Sequence, residues 1–142
     1  MENGISYAAI DADAPERLVP LRRMLGVTSF GLNQFVLRPG QRGRIHTHAH
    51  QEEVYLVLRG TLTLLTADGE RDLGEGDLAR VAPDVRRQLV NRGPATCVLI
   101  ALGGTGEHEG RDGVAYEAWD ATEGRAPQEV PLPEDLPASE LR

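Results

Sequence analysis

The sequence predicts an all-β fold, a single antiparallel sandwich or barrel. Three observations predict it. Apolar runs are strand-length, and 16 glycines and 9 prolines punctuate them at short intervals. There is no alternation of strand and helix patterns of the kind that builds a parallel sheet. The 142 residues, 40% of them hydrophobic, match one domain with one core.

Each element follows in chain order. Residues 1–27 read as an N-terminal extension, partly strand or short helix. Its "PERLVPLRRML" (15–25) is the one helical candidate, and Pro20 interrupts it. "TSFGLNQFVLRPG" (28–40) is a strand ending in a Pro-Gly turn. "RIHTH", "EVYLVL" and "TLTLLTA" are three further strands, the last two joined tightly through Arg59 and Gly60. "DGE" (68–70) is a hairpin signal. "GEGDLARVA" leads into another strand, and "RRQLVN" and "TCVLIALGG" follow on either side of "RGP". Seven or eight short strands result, and residues 28–104 form the barrel. Beyond it, "GGTGEHEGRDGVAYEAWD" (103–120) places Tyr116 and Trp119 at helical spacing. It is expected to be a short turn or helix whose aromatics pack on the barrel. The remaining 22 residues contain four prolines. They are expected to be extended over the barrel or a partner, or disordered. Residues 105–142 are thus read as a C-terminal cap and tail.

Composition narrows the function. A formal charge of -7 disfavours nucleic acid or an anionic membrane as partner. No apolar run reaches spanning length, and the acidic start lacks the form of a secretory signal. A soluble cytoplasmic protein is expected. All fifteen basic residues are arginine, which excludes lysine Schiff-base chemistry. The single cysteine, Cys97, lies in the apolar "TCVLIAL" and reads as a core thiol.

The chemistry concentrates in "IHTHAHQEEVYLVLRG" (45–60). Residues i and i+2 of a strand share a face, so His46 and His48 project together, and Glu53 follows after a brief turn. Two imidazoles and a carboxylate make a three-point grip on a divalent metal that leaves positions open for water or substrate. A solvated polar strand face is the plainer alternative. Gly40, His46, His48, Glu53 and Gly60 also fit the spacing G-x5-H-x-H-x4-E-x6-G, and on these five positions residues 28–104 resemble the cupins. The resemblance implies an antiparallel jelly-roll barrel with His46, His48 and Glu53 as metal ligands inside it. The metal would be Fe, Mn, Ni, Co or Zn, all compatible with this donor set. It also implies a small-molecule ligand, a homodimer, and an activity such as oxygenase, isomerase or lyase.

A second cupin motif, G-x5-P-x-G-x2-H-x3-N, is broken. In "GEGDLARVAPDVRRQLVN", Gly76 and Asn91 keep their places, Ala82 and Asp84 replace proline and glycine, and Arg87 replaces the fourth ligand histidine. Arginine stays protonated and donates no lone pair. At about 5 Å from a divalent ion, it would be repelled by roughly 7 kcal/mol at an effective dielectric near 20. Either Arg87 pairs with Glu53 as a buried ion pair in place of a metal, or it turns aside and clamps an anionic substrate beside a three-ligand metal. Strand alternation adds Tyr55, a proton-donor or hydrogen-bonding candidate, and Val57 to the interior. Gln34 is a further inward candidate. His50 is expected at the rim, and Glu52, Arg86 and Gln88 on the surface. Tyr55 and Arg87 are therefore the catalytic candidates, and His46, His48 and Glu53 the metal candidates.

Overall fold

The computed structural model describes residues 3–104 and 112–142. Its ten strands, all paired antiparallel, form two five-stranded sheets. The strands are β1 (Leu18–Val19), β2 (Gly31–Leu37), β3 (Ile45–His48), β4 (Glu52–Arg59), β5 (Leu62–Thr66), β6 (Gly69–Leu73), β7 (Leu78–Val81), β8 (Arg87–Val90), β9 (Cys97–Gly104) and β10 (Gly113–Tyr116). One sheet has the order β1-β2-β9-β4-β7, and the facing sheet β10-β3-β8-β5-β6. This is the expected all-β architecture. Among the described residues the one α-helix, α1 (Leu21–Leu25), starts directly after Pro20, where the proline was expected to interrupt the segment. Among the described residues, no helix is long and apolar enough to cross a membrane.

Period-two alternation sets the core. Along β4, Glu53, Tyr55 and Val57 are buried, while Glu52 faces solvent and binds Arg80. β4 pairs with β9 so that Glu53 opposes Gly103, Tyr55 opposes Ala101, and Val57 opposes Leu99. Tyr55, Val57, Leu99 and Ala101 meet Leu37, Leu62, Leu89 and Cys97 between the sheets. Full burial of a large aliphatic side chain contributes about 1.5–3 kcal/mol, so this cluster is the main source of stability. Burial pushes the Cys97 thiol up to about 12, which keeps it protonated and unreactive. Gly60 closes the turn after β4 with φ +72, and a Cβ there would lie 2.6 Å from the carbonyl oxygen of Thr96. Only glycine meets both demands, which explains the last position of the first motif.

Several expectations need correction. Residues 113–116 are a strand rather than a turn or helix, and β10 pairs residue by residue with β3. Tyr116 is pinned from both sides: its hydroxyl lies 3.3 Å from Thr47 Oγ1, and the Arg86 guanidinium stacks 3.7 Å from its ring centre. Arg86 is no plain surface charge, because it also donates to the carbonyls of Trp119 and Ala121. The stretch 105–111, within the expected cap, lies outside the described residues. Gln88 is buried and donates to the Gly43 carbonyl. Gln34 is buried too, but its amide clasps both the N–H and the carbonyl of Asp11 in the N-terminal extension. Its neighbour Asn33 takes the inward position. The proline-rich tail runs along the barrel. Val130 and Leu136 are buried there, and backbone bonds tie Leu136 to Gly40 and Arg142 to Arg92.

Candidate metal and ligand site

His46 and His48 come from β3, and Glu53 from the start of β4. These strands are consecutive in the chain yet belong to opposite sheets, so the residues meet across the sandwich and not along one sheet. One ligand atom from each lies within 4.8 Å of the others. His46 Nε2 is 3.4 Å and His48 Nε2 3.1 Å from Glu53 Oε1. The two rings stand edge to face, centres 5.3 Å apart.

The other ring nitrogens fix the tautomers. His46 Nδ1 lies 3.0 Å from the Arg44 carbonyl, which only accepts, so Nδ1 carries the hydrogen. His48 Nδ1 lies 2.8 Å from Asp112 Oδ1. Asp112 is held below the usual carboxylate range. Burial opposes this, but hydrogen bonds from the His50 N–H, His48 and the Gln51 N–H outweigh it. An ionised Asp112 accepts from Nδ1–H, so in both neutral rings Nε2 presents its lone pair to Glu53 Oε1. Electron pairs facing one another at such distances call for a cation or a proton between them. A carboxylate behind a histidine is also the common support of a metal-bound imidazole. The donor set therefore fits a divalent ion. Without one, a proton serves: burial, and more weakly Arg87, work to lower the His48 pKa, yet the hydrogen bond and attraction to Glu53 and the hydrogen bond to Asp112 raise it overall.

Behind Glu53 stands Arg87. It is fully buried, and in the β3–β8 pairing it lies directly opposite His46, so both side chains point inward. Arg87 Nη2 donates to Glu53 Oε1 at 2.5 Å, Nε donates to the Tyr55 hydroxyl at 3.2 Å, and Nη1 reaches the carbonyls of Ala82, Pro83 and Val85. The Tyr55 hydroxyl donates to Glu53 Oε1 at 2.6 Å. Burial raises the Tyr55 pKa well above its ordinary value, with Glu53 adding to it, so the phenol stays neutral. Burial alone would raise the Glu53 carboxyl, but when protons rather than a metal sit on the imidazoles, Nε2–H bonds from His46 and His48 and the positive charge they carry hold it well below the usual range. One carboxylate oxygen thus faces two imidazoles, a phenol and a guanidinium. Of the two sequence alternatives for Arg87, the pairing with Glu53 is the geometry observed.

A cavity of about 330 Å³ opens beside the cluster. His48, Glu53, Gln51 and Asp112 lie along its wall together with Asn33, and Arg22 and Arg23 of α1 line it as well. Neither Tyr55 nor Arg87 lines it. Gly103 permits this wall: a Cβ there would meet Gln51 Oε1 at 2.7 Å. His50 is exposed. Asp112, Gln51 and Asn33 escaped the sequence reading. Asp112 sits 59 positions beyond Glu53 in a glycine-rich stretch, and only the β10–β3 pairing brings it to His48. The buried Asn91 of the broken second motif is structural, bonding the carbonyls of Leu37 and Ala95.

Comparison with known proteins agrees with this architecture. The family model of the cupin domain matches residues 33–103, half of the chain. No curated protein matches. Among solved structures, a sugar phosphate isomerase of the cupin superfamily from Silicibacter pomeroyi is 25% identical, with a TM-score of 0.63 over 85% of this chain and 88% of that one. A cupin protein from Bacteroides fragilis is 23% identical, with a TM-score of 0.64 over 87% and 98%. A cupin 2 conserved barrel domain protein from Salinispora arenicola is 21% identical, with a TM-score of 0.63 over 73% and 92%. The matched segment contains the His46, His48 and Glu53 cluster, the Glu53–Arg87 pair and most of the strands that enclose them, and the chain belongs to the cupin domain family.

Proposed function

We propose that His46, His48 and Glu53 hold a divalent metal, and that the adjoining cavity takes a small oxygenated or anionic molecule. The observation that carries this reading is the convergence of three electron-pair donors. Both Nδ1 atoms are committed to Arg44 and Asp112, so both Nε2 atoms face Glu53 Oε1. A metal held there would supply Lewis-acid polarisation of a bound oxygen, or redox chemistry if it were iron or manganese. The chain's own groups do the rest. Asp112 orients His48 and keeps its Nε2 available. Tyr55 and Arg87 act as positioning residues, fixing Glu53 from behind. Asn33 offers its amide to a molecule in the cavity, and Gln51 shapes the wall beside it while its own amide holds Asp112. The activity of the Silicibacter pomeroyi relative is compatible with such a site, an isomerase acting on a small hydroxylated anion.

Metal analysis of protein purified without a chelating tag tests the reading. It expects one equivalent of Fe, Mn, Ni, Co or Zn, bound as isolated or on addition, and loss of that equivalent in His46→Ala. Absence of any binding, with the fold intact, overturns it. In that case the second reading stands: a metal-free ligand-binding cupin built around the Glu53–Arg87 pair. The 2.5 Å contact of that pair is the observation that favours it.

We also propose that the protein is a homodimer. Ile5, Tyr7, Ile10, Leu18 and Met24 of the N-terminal extension are 42–86% exposed, an unusual concentration of apolar surface. Light scattering giving the monomer mass would contradict this.

A further inference from the structure

The cavity beside the metal candidates contains two charges that the cluster does not use. Five of its lining residues carry or can carry charge: Arg22, Arg23, His48, Glu53 and Asp112. The two carboxylates are compensated from within. Glu53 is held by Arg87 Nη2 and the Tyr55 hydroxyl. Asp112 is held by His48 Nδ1, the backbone N–H groups of His50 and Gln51, and the Gln51 amide at 2.6 Å. Neither Arg22 nor Arg23 has a hydrogen bond or ion pair to its guanidinium among the described residues, and the Arg22 Nε is buried without an acceptor. A desolvated guanidinium N–H with no partner is costly. Arg22 is such a group, and the exposed Arg23 beside it adds a second guanidinium with no carboxylate of its own among the described residues, so this wall of the cavity carries positive charge that the cluster does not pair, whether or not a metal is present.

We propose that Arg22 and Arg23 are the anion subsite of this cavity, and that its ligand is a small hydroxylated molecule bearing one phosphate or carboxylate group. The anion docks on the α1 arginines, and the hydroxyl end points to His48, Glu53 and Gln51. Size agrees, since about 330 Å³ is at the low end of small-molecule cavities and suits a triose-to-pentose skeleton. Chemistry agrees as well, because a guanidinium pairs with phosphate or carboxylate through two parallel N–H donors. The proposal deepens the ligand half of the proposed function and rests on it for the choice of cavity. It does not depend on the metal.

The test is calorimetry with glycerol 3-phosphate, glycerate and glycerol, on metal-loaded and on chelator-treated protein, at low and moderate salt. At least one of the two anions is expected to bind, more weakly as salt rises, while glycerol binds at least tenfold more weakly. The stronger of the two identifies the anion as phosphate or carboxylate. The double variant Arg22→Ala with Arg23→Ala is expected to lose anion affinity tenfold or more while its metal affinity stays unchanged. Arg22→Lys with Arg23→Lys, which keeps the charge, restores part of the loss and guards against a folding artefact. His46→Ala loses the metal but keeps the dependence of anion binding on the arginines. Equal affinity for glycerol and both anions, no binding of either anion, or anion affinity unaffected in the alanine double variant overturns the proposal. None of these results touches the metal assay.

Discussion

The two motif segments of this barrel reach the same point with opposite charge. The first, from Ile45 to Gly60, delivers two imidazoles and a carboxylate, a set suited to a cation. The second, from Gly76 to Asn91, delivers a cation of its own: Arg87 stands 2.5 Å from the carboxylate oxygen that both imidazoles face. Glu53 lies between them, and its single oxygen serves both sides. The contrast teaches that the charge balance of this site rests on one carboxylate shared between a cation-binding set and a resident cation. Asn91 and Gly60 do structural work independent of metal, whereas Arg87 sets the charge at the site.

The largest expected effect comes from removing the shared group. Glu53→Gln leaves a fully buried guanidinium with a neutral partner, which costs about 3–5 kcal/mol. Thermal denaturation should show a drop of about 10 °C or more. Adding Arg87→Met to Glu53→Gln should recover much of the loss, since no buried charge then remains. If the single variant melts like the parent, the pair does not hold the site together.

The next effect sharpens the comparison by making the two motifs agree. Arg87→His removes the repelling cation and adds a donor, so affinity for Mn or Zn should rise a hundredfold or more by calorimetry. Unchanged affinity would mean that Arg87 does not limit the site. Asp112→Asn weakens the support of His48 and should lower metal affinity 10- to 100-fold, measured the same way.

Acidity separates Glu53 from His48. Its carboxyl is held well below the ordinary value, so its stabilising contribution is complete above about pH 4.3 and is lost as pH falls through the lower native value. His48 runs the other way. Its pKa is raised, so its contribution is complete below about pH 6.5 and is lost as pH rises through the native value. Chelator-treated protein should therefore melt highest between these limits, and Glu53→Gln should flatten the acid side of the profile. The smallest effect is expected from Arg86→Ala. It removes the stack on Tyr116 and two bonds to the tail for about 1 kcal/mol, with no change in metal affinity.

Much of this was legible in the sequence because it is local. Alternation along "EVYLVL" placed Glu53, Tyr55 and Val57 on one face, and the spacing of His46, His48 and Glu53 survived into three dimensions. Pro20 marked the break before α1. What stayed hidden was long-range. Nothing within "EHEGRDGVAY" announces a strand that carries Asp112 to His48, because a four-residue strand has little pattern of its own and gains its ladder from β3. The register of β2 also lacked a local marker, and Asn33 rather than the candidate Gln34 takes the cavity side. Gln88 and Arg86 seemed superficial by composition, yet backbone carbonyls of other segments claimed both.

The most direct test is anomalous diffraction from crystals of untagged protein soaked with manganese or zinc, recorded on both sides of the metal's absorption edge. The account predicts a single strong peak within bonding distance of His46 Nε2, His48 Nε2 and a Glu53 carboxylate oxygen. An empty position there, with the Glu53–Arg87 contact unchanged at saturating metal, would contradict it.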